Sequence, residues 1–161
     1  MRAPKNSLLK RWERLASMPG GRWLFSFLLG CMVPYSGSIR PRVLELKAGH
    51  ARVAMADRRA VRNHLRSIHA IALINLAEVT SGLAMLSGLD PAARGIVTSI
   101  SMEYLKKARG RLLGSSQCTP PVGCEERELE ISVVLTDASG ETVARALVSW
   151  KIGSVAASPS P

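Results

Sequence analysis

The sequence lacks the short motifs by which several large enzyme classes are identified. It contains no Walker loop, no GxGxxG fingerprint and no GxSxG nucleophile motif, so nothing supports those three kinds of site. Its three cysteines show neither CxxC nor metal-finger spacing, and no other set of metal ligands can be assembled. We therefore expect reduced thiols, a cytoplasmic location, no metal site and no cofactor.

A hydrophobic run long enough to cross a membrane is also missing. The apolar stretch from Trp23 to Val33 has only 11 residues, whereas a spanning helix needs roughly 20. The first 18 residues place charges among their apolar side chains and lack the apolar core of a signal peptide. We expect neither a membrane span nor a signal peptide.

Acidic residues are scarce in the first part of the chain. Residues 1–66 contain 14 Lys or Arg and 3 Asp or Glu, whereas residues 67–161 contain 8 and 9, and the net charge of the chain is +10. A basic first half indicates an anionic partner, which could be a phosphate-bearing ligand, a nucleic acid or a lipid surface. A solvated basic face without a specific partner explains the same charges equally well.

The hydrophobic period predicts two short helices, then strands around one long helix. The first helices span residues 8–17 and 22–32, and the long helix runs from Ile71 to about Leu86. Alternating apolar residues and turn signals mark the strands. The predicted strands cover residues 42–47, 51–56, 95–105, 111–118, 129–135 and 142–152.

These elements predict an α+β protein. Short connections between successive strands indicate an antiparallel sheet, and a helix that is apolar on all sides has to be covered by other elements. We therefore expect a curved antiparallel sheet of five to six strands wrapped around the central helix. The N-terminal helices would form a lid or flank, or, because they combine basic and aromatic residues, an amphipathic anchor on a membrane surface.

The central helix carries one acid, Glu78, in its middle. An unpaired buried charge is costly, so this carboxylate needs a function or a partner. At 100° per residue, Asn75, Ser81 and Gly82 share a narrow polar stripe with Glu78. A structural ion pair between Glu78 and a buried Arg or His is the alternative to a catalytic role.

The segment that begins this helix resembles acyl-CoA thioesterases of the hotdog fold, in particular those of the phenylacetate-pathway type. Those enzymes carry an Asn, then His-Gly-Gly, then Leu-Ala-Asp within the helix. Here Asn63 precedes His69 by six residues, and Ala70 and Ile71 stand in place of the two glycines. Residues 76–78 read Leu-Ala-Glu, so a glutamate replaces the aspartate.

The whole sequence resembles most closely a branch of that fold known as a domain of unknown function. Its signatures, Pro-Tyr-Ser/Thr-Gly and Asn-His-Leu followed by Ile-His-Ala, correspond to residues 34–37, 63–65 and 68–70. The resulting division is a helical flank at 1–38, a hotdog domain at 39–152 and a disordered tail at 153–161.

The resemblance implies a thioester hydrolase that acts on an acyl-CoA and forms a homodimer or homotetramer, with its active site between subunits. Glu78 would be the general base or nucleophile, the amides at Ala70 and Ile71 at the helix N-terminus could form the oxyanion hole, and His69 and Asn63 would complete the catalytic group. For His69 and Asn63, a role in shaping the loop by hydrogen bonds is the alternative. The candidate substrate-binding residues are Ile71, Asn75, Ser81 and Gly82, with Arg58, Arg59, Lys106 and Lys107 for the phosphates of coenzyme A.

Three other functions are compatible with parts of the sequence. A non-catalytic protein of the same fold would bind acyl-CoA or an acyl chain without cleaving it. A hydratase or dehydratase would need the His and Pro-Gly signature of the acyl carrier protein dehydratases, which is absent here. A nucleic-acid or membrane-surface binder would account for the basic first half, although we expect no nucleic-acid partner.

Overall fold

Two helices and a third, very short one precede a six-stranded sheet that a fourth helix interrupts. The computed structural model describes residues 6–155, and a 3₁₀ helix at Arg59–Val61 lies in the loop before the fourth helix. The elements are α1 (Ser7–Ala16), α2 (Gly21–Met32), α3 (Pro34–Gly37), β1 (Arg42–Lys47), β2 (His50–Met55), α4 (Ala70–Leu86), β3 (Ala93–Tyr104), β4 (Leu112–Gln117), β5 (Arg127–Thr136) and β6 (Thr142–Ser154).

The sheet is antiparallel throughout, with the strand order β1-β2-β4-β5-β6-β3. β2 lies beside one edge strand and β3 forms the opposite edge, so the connection between them has to cross the sheet. α4 is that connection, and it contacts all six strands. The predicted α+β class, with a curved antiparallel sheet wrapped around a central helix, is therefore confirmed.

α4 is buried on nearly every side because its sequence is apolar around the whole circumference. Leu76, Ala77, Ala84 and Met85 are fully buried within the core between helix and sheet. At the C-terminal end the Ser87 hydroxyl donates to the carbonyl oxygen of Lys47, 2.6 Å away. This bond ties the end of α4 to the first hairpin.

The N-terminal helices are fixed to this body by specific polar contacts. The Asn6 side-chain oxygen accepts from the amide of Leu8 and caps α1, while its side-chain nitrogen donates to the carbonyl oxygens of Leu86 and Leu89 beyond the end of α4. One asparagine thus satisfies the termini of two helices. The Ser26 hydroxyl of α2 accepts from the backbone N–H of Val43, which couples α2 to the edge strand β1.

Strand β3 departs from simple alternation. Alternation predicts Ile96 on the same face as Ile100 and Met102, but Ile96 is 56% exposed, and Val97 packs on the core instead. The pairing of β3 with β6 shifts register between Val97 and Ser99. A β-bulge inserts one residue and reverses the facing of everything before it.

Several element boundaries differ from the sequence prediction by one or two residues, and the short helix α3 is not predicted. Pro34 does more than end α2, because it opens the one-turn helix α3 in the first helical position, where a proline is favourable. At the other end, β6 extends to Ser154, so the first residues assigned to the tail belong to a strand. The rest of the predicted tail, residues 156–161, lies outside the described residues, as do residues 1–5 of the predicted flank.

Candidate active site

The first turn of α4 is organised by His69. This residue is the N-cap of the helix, and its ring nitrogen Nδ1 accepts a hydrogen bond from the Ile71 amide at 3.1 Å. Of the two amides proposed for an oxyanion hole, that of Ile71 is therefore engaged by its own cap. The Ala70 amide makes no hydrogen bond to another residue in the described range 6–155, so it is the free donor at the positive end of the helix.

Asn63 holds the loop that leads into α4. Its side-chain oxygen accepts from the amide of Leu65 at 2.9 Å and from both the amide and the hydroxyl of Ser67 at 3.2 Å. These bonds support a tight turn in which Arg66 adopts a positive φ of 57°. The oxygen of Asn63 is thus occupied by the loop, and only its side-chain nitrogen is available to a ligand.

Glu78 lies half-buried in the middle of α4. Burial raises the pKa of its carboxyl group above the ordinary value of 4.5, and the hydroxyl of Ser36 acts in the opposite direction by hydrogen bonding to the charged form. Within residues 6–155, no Lys, Arg or His forms a salt bridge with it. Among the described residues, the structural ion pair considered as an alternative role is therefore not formed.

The short helix α3 lies against the polar stripe of α4. The Asn75 side-chain nitrogen donates to the carbonyl oxygen of Tyr35 at 3.2 Å, and Ser36 faces Glu78 one turn further along α4. The side-chain oxygen of Asn75 is buried and has no hydrogen-bond partner among residues 6–155. An unsatisfied buried acceptor is costly, and this one lies one turn from the carboxyl group of Glu78.

Ser81 and Gly82 do not join this group, although they share the polar stripe with Glu78 on a helical wheel. The Ser81 hydroxyl donates to the Glu78 carbonyl oxygen and accepts from the indole N–H of Trp150 at 3.2 Å. A β-carbon at Gly82 would lie 3.1 Å from the same indole ring. Both residues are buried against Trp150.

Two of the predicted phosphate-binding residues, Arg58 and Arg59, lie before α4 in different surroundings. The Arg58 guanidinium donates to the Ser38 carbonyl oxygen at 3.0 Å, and its Nε is buried without a partner in the described part of the chain. Burial and the neighbouring Arg40 lower the pKa of Arg58. Arg59 is exposed and lines an open basic depression together with Arg62, Asn63, His64 and Arg66.

The other two predicted phosphate-binding residues, Lys106 and Lys107, follow β3. Lys106 forms salt bridges with Asp137, at 2.6 Å, and with Glu141, so both charges of the β5–β6 turn already neutralise it. Lys107 is exposed. The loop that carries both lysines contacts the loop before α4, because the Ile68 amide donates to the Ala108 carbonyl oxygen at 2.8 Å.

Ala70 and Glu78 are too far apart to act on one carbonyl group within a single chain. Eight residues of α-helix correspond to about 12 Å along the axis, whereas a base has to lie within roughly 3 Å of the water that it activates. A common site therefore requires the Ala70 amide of one subunit and a carboxylate from another.

The described residues contain neither a metal-binding cluster nor a membrane-spanning helix. No group of three or more His, Cys, Asp or Glu residues there could hold a metal ion. Likewise, no helix within residues 6–155 is both long and apolar enough to span a membrane. All three cysteines are free thiols.

A family-level comparison covers most of the chain. The sequence model of a family described as a domain of unknown function, DUF4442, matches residues 21–152. The chain belongs to the DUF4442 family. The match begins with α2 and ends within β6, so the DUF4442 region includes α2 and α3 together with the sheet and α4. No curated protein sequence matches the chain.

Solved structures share the DUF4442 chain's architecture. A protein of known crystal structure designated genomics APC5556 is 28% identical, with a TM-score of 0.79 and coverage of 92% of this chain and 99% of its own. A protein of unknown function from Pseudomonas aeruginosa, described as a probable thioesterase, is 24% identical, with a TM-score of 0.68 and coverage of 85% and 97%. A thioesterase family protein from Silicibacter pomeroyi is 15% identical, with a TM-score of 0.69 and coverage of 80% and 96%.

These similarities confirm the hotdog fold and the resemblance to its domain-of-unknown-function branch. The sequence analysis missed one member of the candidate site, Ser36, although the signal was available. Ser36 belongs to the Pro-Tyr-Ser-Gly signature at residues 34–37, and only the fold shows that this signature lies over the carboxyl group of Glu78.

Proposed function

We propose that this protein is a cytoplasmic, homo-oligomeric thioesterase that hydrolyses an acyl-CoA, with Glu78 as its general base or nucleophile. The observation that carries the proposal is a half-buried carboxyl group with a raised pKa and no cation in salt-bridge contact within the described residues. A carboxylate that titrates closer to neutral pH is a better base than an ordinary one. Thioesterases among the proteins of the same fold support the reaction class.

The reaction requires only the thioester and water. Glu78 takes a proton from water while the water oxygen attacks the thioester carbon, and the Ala70 amide donates to the carbonyl oxygen as it gains negative charge. The carbon–sulfur bond then breaks, and the proton returns to the leaving thiolate. The products are a carboxylic acid and the free thiol of coenzyme A. In the covalent variant, Glu78 attacks the carbon itself, the carbon–sulfur bond breaks and coenzyme A leaves as its thiolate. Water then cleaves the resulting anhydride, which frees the carboxylic acid and restores Glu78, and a proton from that water goes to the thiolate.

A dimer resolves the separation of about 12 Å between the two reacting groups. Two α4 helices that run antiparallel across a two-fold axis would bring the Ala70 amide of one subunit to Glu78 of the partner subunit. The unpaired acceptor of Asn75 supports the same arrangement, because it needs a donor from a substrate, a water molecule or a second chain.

The edge strand β3 supplies a surface for such a dimer. It is 12 residues long and terminates the sheet, and Ile96 and Tyr104 on it are exposed. A long edge with apolar side chains readily pairs with another strand. The opposite edge, β1, is partly covered by α2.

The basic depression before α4 is the surface that we propose for the phosphates of coenzyme A. Arg59, His64 and Arg66 line it, and phosphate recognition favours clustered guanidinium groups. Lys107, in the adjacent loop, is the available lysine, since Lys106 is already paired with two carboxylates.

The test is release of coenzyme A from a series of acyl-CoA thioesters, measured by chromatography rather than with a thiol reagent, because Cys31 is exposed and would react. We expect turnover by the wild type and a loss of at least about 10²-fold in kcat for Glu78→Gln. Glu130→Gln, which changes an exposed glutamate on β5, is the matched control and retains full activity.

Three outcomes would contradict this function. Full turnover by Glu78→Gln would show that Glu78 is not the base or nucleophile. Binding of acyl-CoA by the wild type without release of coenzyme A would favour a non-catalytic binding protein. Neither binding nor turnover across the series would exclude acyl-CoA as the ligand.

A further inference from the structure

The outer face of α2 is apolar and exposed. Five apolar residues recur at helical spacing along it and are exposed: Trp23, Leu24, Phe27, Leu28 and Met32. The rings of Trp23 and Phe27 stack with their centroids 5.6 Å apart. α2 already uses its opposite face, with Phe25 and Ser26, to pack on the body. A second, larger apolar face on the same helix therefore has no role in this fold.

The segment that carries this apolar face is basic and contains no acidic residue. No Asp or Glu occurs between Glu13 and Glu45. The same interval contains four arginines: Arg14, Arg22, Arg40 and Arg42. These four arginines are exposed.

Two open grooves flank α2, one of ≈ 470 Å³ that joins Trp23 and Phe27 to Arg40 and Arg42 and one of ≈ 310 Å³ that also contains Arg22. Neither groove is lined by an acidic residue.

We propose that the α2 face binds the surface of an anionic phospholipid bilayer. Exposed aromatic and aliphatic side chains would enter the boundary between headgroups and acyl chains, and the surrounding arginines would contact lipid phosphates. Tryptophan is favoured at this depth because its ring is amphipathic. The proposal concerns attachment to one face of a bilayer, and it does not depend on the proposed hydrolysis.

Charge argues for a bilayer over a second copy of the chain on this face. In a two-fold contact the same surface meets itself, so Arg22, Arg40 and Arg42 of one copy would face the same arginines of the other. Like charges brought together at an interface disfavour association. An anionic lipid surface instead complements the whole basic border at once.

The position of α2 makes the attachment rigid. A β-carbon at Gly37 would lie 2.4 Å from the carbonyl oxygen of Gly30, so α3 and α2 are in backbone contact. Ser26 bonds to β1 on the other side. The apolar face is therefore held by the fold and does not need to become ordered when it binds.

The test uses the full chain with vesicles of phosphatidylcholine, either alone or mixed with phosphatidylglycerol. Trp12 and Trp150 are buried, so Trp23 is the exposed tryptophan and its emission reports on the face directly. We expect a blue shift and co-sedimentation with the anionic vesicles only, both weakened by salt. Phe27→Ser with Leu28→Ser should reduce vesicle affinity by at least about tenfold, and Arg22→Gln with Arg42→Gln by roughly fivefold per arginine.

Matched controls change exposed residues elsewhere. Val122→Ser alters an exposed apolar side chain, and Arg145→Gln an exposed arginine on β6; both should bind as the wild type does. Equal binding to neutral and anionic vesicles, or binding to neither, would overturn the proposal. So would self-association in the absence of lipid that Phe27→Ser with Leu28→Ser abolishes, because that result would assign the face to a second copy of the chain.

Discussion

Replacing Glu78 by glutamine is expected to stabilise the protein near neutral pH. Burial raises the pKa of this carboxyl group above 4.5 in the folded chain, so folding disfavours its charged form. Below pH 4.5 the group is protonated in both the folded and the unfolded state and costs nothing. As pH rises from 4.5 through the folded pKa, the unfolded state loses its proton first, and stability falls until both states are charged.

The expected gain is about 1–2 kcal/mol in the free energy of unfolding near neutral pH, since removing a poorly satisfied buried polar charge recovers about that amount. The hydroxyl of Ser36 limits this gain in stability, because it stabilises the charged form of Glu78 in the folded chain. For a chain of 161 residues, this gain corresponds to a rise of about 2–8 °C in the midpoint of thermal unfolding.

Urea unfolding at several pH values measures the effect directly, at one fixed protein concentration because association changes apparent stability. The two stability curves should coincide below pH 4.5 and separate above it. Glu130→Gln should stay within about 0.5 kcal/mol of the wild type at every pH, as expected for an exposed position. A loss of stability in Glu78→Gln near neutral pH would refute the reasoning, because it would show that the carboxylate has a stabilising partner.

Three further substitutions test separate parts of the structure. Asn6→Ala should cost about 1–2 kcal/mol of stability, measured by urea unfolding, because the asparagine caps α1 and also bonds to carbonyl groups at the end of α4. Gly82→Ala should be destabilising by about 1 kcal/mol, since crowding against the buried Trp150 outweighs the gain in helix propensity. Ser36→Ala should move the acidic limb of the kcat/KM profile to higher pH, because the pKa of Glu78 loses the hydroxyl that lowers it.

Each of the three predictions has a contrary result, and those for Gly82 and Ser36 also have a control variant. Gly153→Ala adds a methyl group where no atom lies within 4 Å, so it should be close to neutral, and a neutral Gly82→Ala would mean that Trp150 can move. Ser36→Thr keeps the hydroxyl and should restore the pH profile; an unchanged profile in Ser36→Ala would show that Ser36 does not influence the base. An unchanged stability in Asn6→Ala would indicate that water replaces both caps.

Local sequence patterns were sufficient for the elements and for much of their arrangement. The helical period and the alternation of strands act over a few residues, so α1, α2, α4 and all six strands follow from them. A helix that is apolar on all sides and lies between strand-forming regions can be buried in few ways other than by packing across a sheet. For the same local reason, Glu78 could be singled out as the acid of that helix.

What each candidate residue contacts was decided by the tertiary structure. A helical wheel places Ser81 beside Glu78, but only the fold shows that β6, nearly seventy residues away, brings the Trp150 indole into hydrogen-bond contact with the Ser81 hydroxyl. Lys106 is neutralised by the β5–β6 turn rather than left for a phosphate. Ser36 reaches Glu78 only because α3 folds back over α4.

The sequence by itself determined that an acid lies in the central helix of an α+β protein. The helical and strand periods from which this follows extend over only a few consecutive residues. Only the tertiary structure decided that no cation of this chain pairs with that acid within residues 6–155, that its α3 neighbour is a serine, and that the free amide of Ala70 lies about 12 Å away along the same helix. These facts depend on contacts between segments that are distant in the sequence, and such contacts are determined by the packing of the whole fold.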